Sequence, residues 1–151
     1  MRSFANLDEL TKAVGTDLGQ GEWVTVNQEM INRFAEATGD FQYIHVDPVR
    51  AAKGPFGKTV AHGFLTLSLI PRLGSTVYKV GGIATGVNYG SNRVRFIEPV
   101  RVDSRIRAHV KLLAVEPGDK GTRITTEIAV ELEGSQRPAC VAENIALLIP
   151  E

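Results

Sequence analysis

The chain changes texture at about residue 82. Before that point apolar residues recur at helical spacing between Gly and Pro punctuation. After it they alternate as in strands. In NQEMINRFAEATG, Met30, Ile31, Phe34, Ala35 and Thr38 form one apolar stripe. Asn27 is a natural N-cap, Glu29 sits in the positive first turn, and Gly39 suits the C′ position. A helix of about three turns is predicted, ending just before Asp40. DPVRAAKGPFG predicts a second helix of about two turns, with Asp47 as N-cap, Pro48 at N1 and Gly54 at C′. From Phe64 to Leu73 the chain is apolar almost all round, the pattern of a helix buried on most sides. Pro71 predicts a kink or break there, because it has no N–H to bond residue 67.

The second half reads as strands. GIATGVNYGSNRVRFIEPV is extended, with a bend near Gly90. Ile106, Ala108, Val110 and Leu112 share one face of the next strand. Ile124, Thr126, Ile128, Val130 and Leu132 share one face of the strand after it. PGDKG and EGSQRP mark hairpins, RPACVAENIALLIP is a final strand, and EWVTV near the start joins the sheet. The fold class predicted is α+β: a mostly antiparallel sheet of about five strands beside one very apolar helix, in a single domain spanning 1–151.

Composition narrows the functions on offer. The 151 residues can bury roughly 70% of their unfolded-chain surface and need no staples. Seventeen basic residues balance seventeen acidic ones, which argues against a general nucleic-acid binder and leaves room for one small anionic ligand. The lone Cys140, in an apolar run, excludes an internal disulfide and reads as a small core residue. The N-terminus lacks the apolar stretch of a signal peptide, and no run approaches the ~20 residues of a membrane span. A cytoplasmic chain with no membrane or nucleic-acid partner is the expectation.

Candidate chemistry is concentrated in TGDFQYIHVDP, Thr38 to Pro48. The N-cap role accounts for Asp47 and removes it from the catalytic candidates. Asp40 and His45 remain, flanking a bend between two helices where neither is needed as a cap. Residues of these two types can serve as an acid–base pair. His62 and Gly63 stand where the apolar helix leaves its first N–H groups unbonded. With Asp47 serving as a cap, a metal site built from Asp40, His45, Asp47 and His62 is not expected. His109 and the acidic residues Glu127, Glu131 and Glu133 read as solvated strand positions.

TGDFQYIHVDPVRA resembles the signature of the R-specific enoyl-CoA hydratases, the hydratase 2 or MaoC-like dehydratases. Thr38, Gly39, Asp40, Ile44, His45 and Ala51 match it, while Gln42 stands for Asn and Tyr43 for Pro. AHGFLTLSLIPRL and NRVRFIEPVRVDSRIRA resemble further family segments, and the aromatic residue and Ile-His of the bend resemble the nodulation-protein-N-like branch. The resemblance covers roughly residues 20–149. It implies a hot-dog fold, in which the sheet wraps the long apolar helix, and a homodimer. It implies hydration of an enoyl thioester on coenzyme A or acyl-carrier protein, or the reverse dehydration, with no metal or other cofactor. By the same resemblance Asp40 and His45 are the acid–base pair and the Gly63 N–H is the oxyanion donor. Gln42, Tyr43, His62 and Phe64 surround the substrate, with Tyr43 expected along the acyl tunnel and His62 ordering the loop. Two rivals are a hot-dog thioesterase and a non-catalytic acyl-thioester-binding domain. Absence of Asp or Glu between Phe64 and Pro71 counts against the first. Retention of both Asp40 and His45 counts against the second.

Overall fold

The computed structural model describes residues 1–151. It opens with three elements absent from the sequence-based prediction: β1 (Arg2–Phe4), α1 (Leu7–Thr11) and β2 (Asp17–Gln20). EWVTV supplies β3 (Val24–Val26). Next comes α2 (Gln28–Thr38), capped as expected. The Asn27 side chain accepts the Met30 N–H, and Gly39, at φ 77°, donates its N–H to the Ala35 carbonyl. The bend that follows is itself a helical turn, α3 (Tyr43–Val46). Asp47 then caps α4 (Pro48–Ala51), its Oδ1 accepting the Arg50 N–H at 2.9 Å. This helix is one turn long rather than two.

The apolar segment forms α5 (Gly63–Ser68) and α6 (Ile70–Gly74), two short pieces instead of one long helix. They meet at Leu69, because Pro71 cannot donate to residue 67. The chain finishes with β4 (Tyr78–Val80), β5 (Ile83–Phe96), β6 (Ser104–Gly118), β7 (Gly121–Leu132) and β8 (Cys140–Pro150).

The main sheet has six strands, one more than the pattern predicted. Its order is β2-β6-β7-β8-β5, with β3 also paired to β6, and every pairing is antiparallel. The extra strand is β2, too short and too glycine-marked (DLGQ) to register as alternation. β1 and β4 form a separate parallel ladder. The bend expected near Gly90 coincides with a register shift between Asn88 and Gly90.

The inner face of the sheet carries Ile106, Ala108, Val110, Leu112, Ile124, Ile128 and Val130, all buried, and Cys140 is fully buried beside them. Leu65, Ile70 and Leu73 press the two-part helix onto this face. Each such side chain contributes about 2 kcal/mol of transfer free energy. Thus the sheet holds the start of α5, with His62 and Gly63, in a fixed place. The opposite side of the helix departs from expectation. Phe64 is 67% exposed, next to Phe96, and Val87 and Tyr89 of β5 are also exposed. A single copy of the sheet covers one side of an all-round apolar helix and leaves the other open.

Candidate active site

Helix α2 ends in a left-handed glycine, which turns the chain sharply and delivers Asp40 to the protein surface. The Asp40 carboxylate accepts the Gln42 N–H at 3.3 Å, an Asx turn that orients it. Helix α3 then carries His45 inward, where it is 7% exposed. Its Nδ1 lies 2.7 Å from the Val60 carbonyl. A carbonyl can only accept, so Nδ1 carries the proton and Nε2 keeps a free lone pair. Val60 is itself fixed by its N–H to the Ile44 carbonyl, which closes the loop around the imidazole.

His62, 3% exposed, follows the same logic. Its Nε2 donates to the Asp40 backbone carbonyl at 3.0 Å, leaving Nδ1 as an acceptor. That Nδ1 is the one buried side-chain polar atom of the chain without a partner. The two imidazoles stack, with centroids 3.8 Å apart and planes tilted by 23°, and Phe34 packs against the far ring. Burial lowers the His45 pKa from 6.5, and the neighbouring His62 lowers it further. The Val60 hydrogen bond and the Asp40 charge oppose these effects without cancelling them.

Asp40, His45, His62, Gly63 and Phe64, with Phe34 and Thr38, line a cleft of about 260 Å³. Five residues singled out from the sequence therefore meet in one place. Gln42 and Tyr43 do not line this cleft. Gln42 is exposed, with no side-chain hydrogen bond, and the Tyr43 ring lies under the Arg50 guanidinium, 3.9 Å away, beside Gly54. Neither the Gly63 nor the Phe64 N–H has a partner within the chain. A Cβ at Gly63 would stand 2.9 Å from the Phe96 ring, so only glycine leaves this helix start open.

Sequence reasoning missed Gln28. Its carboxamide donates to the His45 carbonyl at 2.7 Å and accepts the Thr59 hydroxyl at 2.5 Å, tying both walls of the cleft to α2. The only signal was a polar residue at the first position of a helix, which ordinarily reads as solvent-facing.

One ligand atom from each of Asp40, His45 and His62 lies within 4.8 Å of the others. Metal coordination fits poorly here. Imidazole binds a metal in its own plane at ~2.0–2.1 Å, and planes tilted by 23° and stacked at 3.8 Å converge well beyond that reach. What the cleft does present is two acceptors, the Asp40 carboxylate and the His45 Nε2 lone pair, while His62 Nδ1 stays buried behind them. Unpartnered N–H donors stand beside them. Such acceptors can take the protons of a water, and such donors can hold an oxygen that gains charge.

An antiparallel sheet wrapped on an apolar helix, with a cleft at the helix start, is the hot-dog architecture. The comparisons place it more closely: the MaoC like domain profile matches residues 9–133, and the chain belongs to that family. It is 54% identical over 146 residues to 3-hydroxyacyl-thioester dehydratase Z of Mycobacterium tuberculosis, covering 96% of this chain and 97% of that one. It is 43% identical to nodulation protein N of Rhizobium leguminosarum bv. viciae, covering 95% and 91%. Among solved structures, the (R)-hydratase from A. caviae involved in PHA biosynthesis superposes with a TM-score of 0.72 at 25% identity, covering 90% and 96%. The chain is a MaoC-like hydro-lyase. No helix is long and apolar enough to cross a membrane.

Proposed function

We propose that the enzyme adds water to trans-2-enoyl-CoA to give (R)-3-hydroxyacyl-CoA, and catalyses the reverse dehydration. The observation that carries this reading is the set of acceptors (the Asp40 carboxylate and His45 Nε2) beside the unpartnered Gly63 N–H. In the hydration direction a water donates to both acceptors. Its oxygen forms the bond to Cβ as one of its protons passes to the pair. The Cα=Cβ electrons move toward the thioester carbonyl, whose oxygen gains charge and is held by the Gly63 N–H. The pair then returns that proton to Cα, so water is added across the double bond and no other reactant is consumed. His45 suits the base role because its depressed pKa keeps it neutral near pH 7. His62 holds the Asp40 carbonyl and the face of His45, Phe64 borders the acyl chain, and Gln42 offers a free exposed carboxamide to the thioester arm. Tyr43 acts at one remove, through the packing of the bend.

The active form is read as a homodimer. β5 is a 14-residue strand paired on one side only, with Val87, Tyr89 and Phe96 exposed along it. A long unpaired apolar edge is what a second copy covers. Sedimentation at micromolar concentration should give twice the chain mass; a monomer would contradict this.

Loss of enoyl absorbance with crotonyl-CoA tests the reaction. Asp40→Asn and His45→Gln should each lower kcat by on the order of 10²–10⁴ while leaving the fold unchanged by circular dichroism. Release of free thiol would instead identify a thioesterase, and full turnover in either variant would sink the assigned pair.

A further inference from the structure

The inner face of the sheet carries a polar row that its apolar alternation does not call for. Thr126 of β7 is the register partner of Asn144 of β8, and Asn144 is the partner of Ser91 of β5. Around them the same face holds Ile124, Ile128, Ala142 and Ala146. This row fronts a cavity of about 390 Å³ between α6 and the sheet, walled by apolar groups such as Pro71, Tyr78 and Leu148. Asn88, Thr126 and Asn144 are polar groups in that wall. The Asn88 carboxamide and Asn144 Nδ2 have no hydrogen-bond partner in the chain, and Asn144 Oδ1 has only a long 3.4 Å contact from the Ser91 hydroxyl. A wholly hydrocarbon occupant would strip water from these amides and return nothing.

A neighbouring hollow shares Ile70, Pro71, Asn88 and Asn144 with this cavity and adds Leu67 and Ser68 on the side of the catalytic cleft. Leu67 and Ser68 are one turn from Phe64, which borders the cleft. Pro71 lies eight positions after Gly63, roughly 12 Å at the helical rise. Bridging that distance with C–C bonds of about 1.5 Å takes on the order of ten carbons.

Resting on the dehydratase reading, the geometry points to a substrate whose acyl chain ends in an oxygen-bearing group, a hydroxyl or carbonyl, bound by the Asn88 and Asn144 carboxamides. A site built to hydrogen-bond a substrate oxygen rejects the analogue that lacks it, because its own polar groups are then left unpaired.

Two probes of equal length test this: 10-hydroxy-trans-2-decenoyl-CoA, and trans-2-undecenoyl-CoA, in which a methyl replaces the terminal hydroxyl. The full-length enzyme should show kcat/KM at least tenfold higher for the hydroxylated probe. Asn144→Leu should collapse or reverse that ratio. Asn88→Val, at an exposed position that the fold does not need, should reduce it severalfold. Equal or lower kcat/KM for the hydroxylated probe in the unsubstituted enzyme overturns the proposal. So does a ratio unmoved by both substitutions, or an Asn144→Leu enzyme that dissociates into monomers at an unchanged ratio, which would make the row a contact between copies. Crotonyl-CoA is too short to reach the cavity and separates the two levels. If it is hydrated while the long probes are not discriminated, only this inference fails; if it is not hydrated, the dehydratase reading fails first.

Discussion

The imidazole of His45 lies face to face with that of His62, centroids 3.8 Å apart, and each ring gives its one proton to a backbone carbonyl. Protonating His45 would place a cation in a buried position against the second ring, which is why its pKa is lowered from 6.5, chiefly by burial and then by His62. The acid limb of the kcat/KM–pH profile for hydration should therefore lie below pH 6.5. His62→Gln should move that limb upward, because it removes one of the groups that lower the His45 pKa. A limb that stays in place when His62 is replaced would show that burial alone sets it.

The same shift has a stability consequence of definite sign. Above pH ~6.5 His45 is neutral in both folded and unfolded chains. As pH falls through 6.5 the unfolded chain binds a proton that the folded chain does not, so stability declines until the lower folded pKa is passed. Melting temperatures measured between pH 8 and pH 5 should fall toward acid, and less steeply in His45→Gln. An identical slope in the variant would assign the acid loss to other groups.

Much of this was legible in the sequence, for identifiable reasons. The α2 stripe, its Asn27 and Gly39 caps, the Asp47 cap and the inner-face alternation of β6 and β7 are local signals, and local physics decided them. The break in the apolar helix was written in Pro71, although two short pieces are less than the long helix expected. What escaped notice was set by distant partners. β2 exists because β6 offers it an edge, α3 because Val60 and Gln28 hold both ends of the His45 turn, and Gln28 looked like an ordinary surface residue. In the cleft, Asp40 and His45 lie together as their places on either side of the bend suggested, although it was the resemblance that singled them out as a pair. The stacking of His62 and the placement of Tyr43 under Arg50 depend on how three loops close together, which no local pattern encodes.

Gly63 is held to glycine by Phe96. An added Cβ would meet the ring at 2.9 Å, so the ring or the helix start must shift. Gly63→Ala should lower kcat, toward the loss of about 3 kcal/mol expected when an oxyanion donor is removed. Gly63→Ala combined with Phe96→Ala should recover part of it, since the obstacle is then gone. Steady-state kinetics of the single and double variants decide the matter. No recovery would mean that the methyl group itself, not the displaced backbone, blocks the substrate.

Gln28 joins the His45 carbonyl to the Thr59 hydroxyl. Gln28→Leu leaves the buried Thr59 hydroxyl and the His45 carbonyl without their partner, at a cost of about 1–3 kcal/mol in stability. Gln28→Glu keeps the acceptor for Thr59 but loses the donor to the carbonyl, so it separates the two bonds. Denaturant unfolding should rank the native chain above Gln28→Glu and Gln28→Leu. Activity should fall further than fraction folded explains, because the turn carrying His45 is released. Activity that simply tracks the folded fraction would make Gln28 a packing residue only.

Asp47 stands two residues from His45, yet its carboxylate is committed to the Arg50 N–H at 2.9 Å, the first turn of α4. Its role is therefore separable from that of Asp40 by the property each substitution disturbs. Asp47→Ala removes an N-cap, which costs about 1 kcal/mol, or a melting temperature lower by roughly 2–4 °C for a domain of this size. Asp47→Asn, able to cap without the charge, should recover most of that loss. Neither should approach the collapse in kcat expected for Asp40→Asn, since Asp47 does not line the cleft. Differential scanning calorimetry and crotonyl-CoA hydration on the same preparations read both quantities. A drop of several orders of magnitude in kcat for Asp47→Asn, with its melting temperature intact, would put Asp47 back among the catalytic carboxylates.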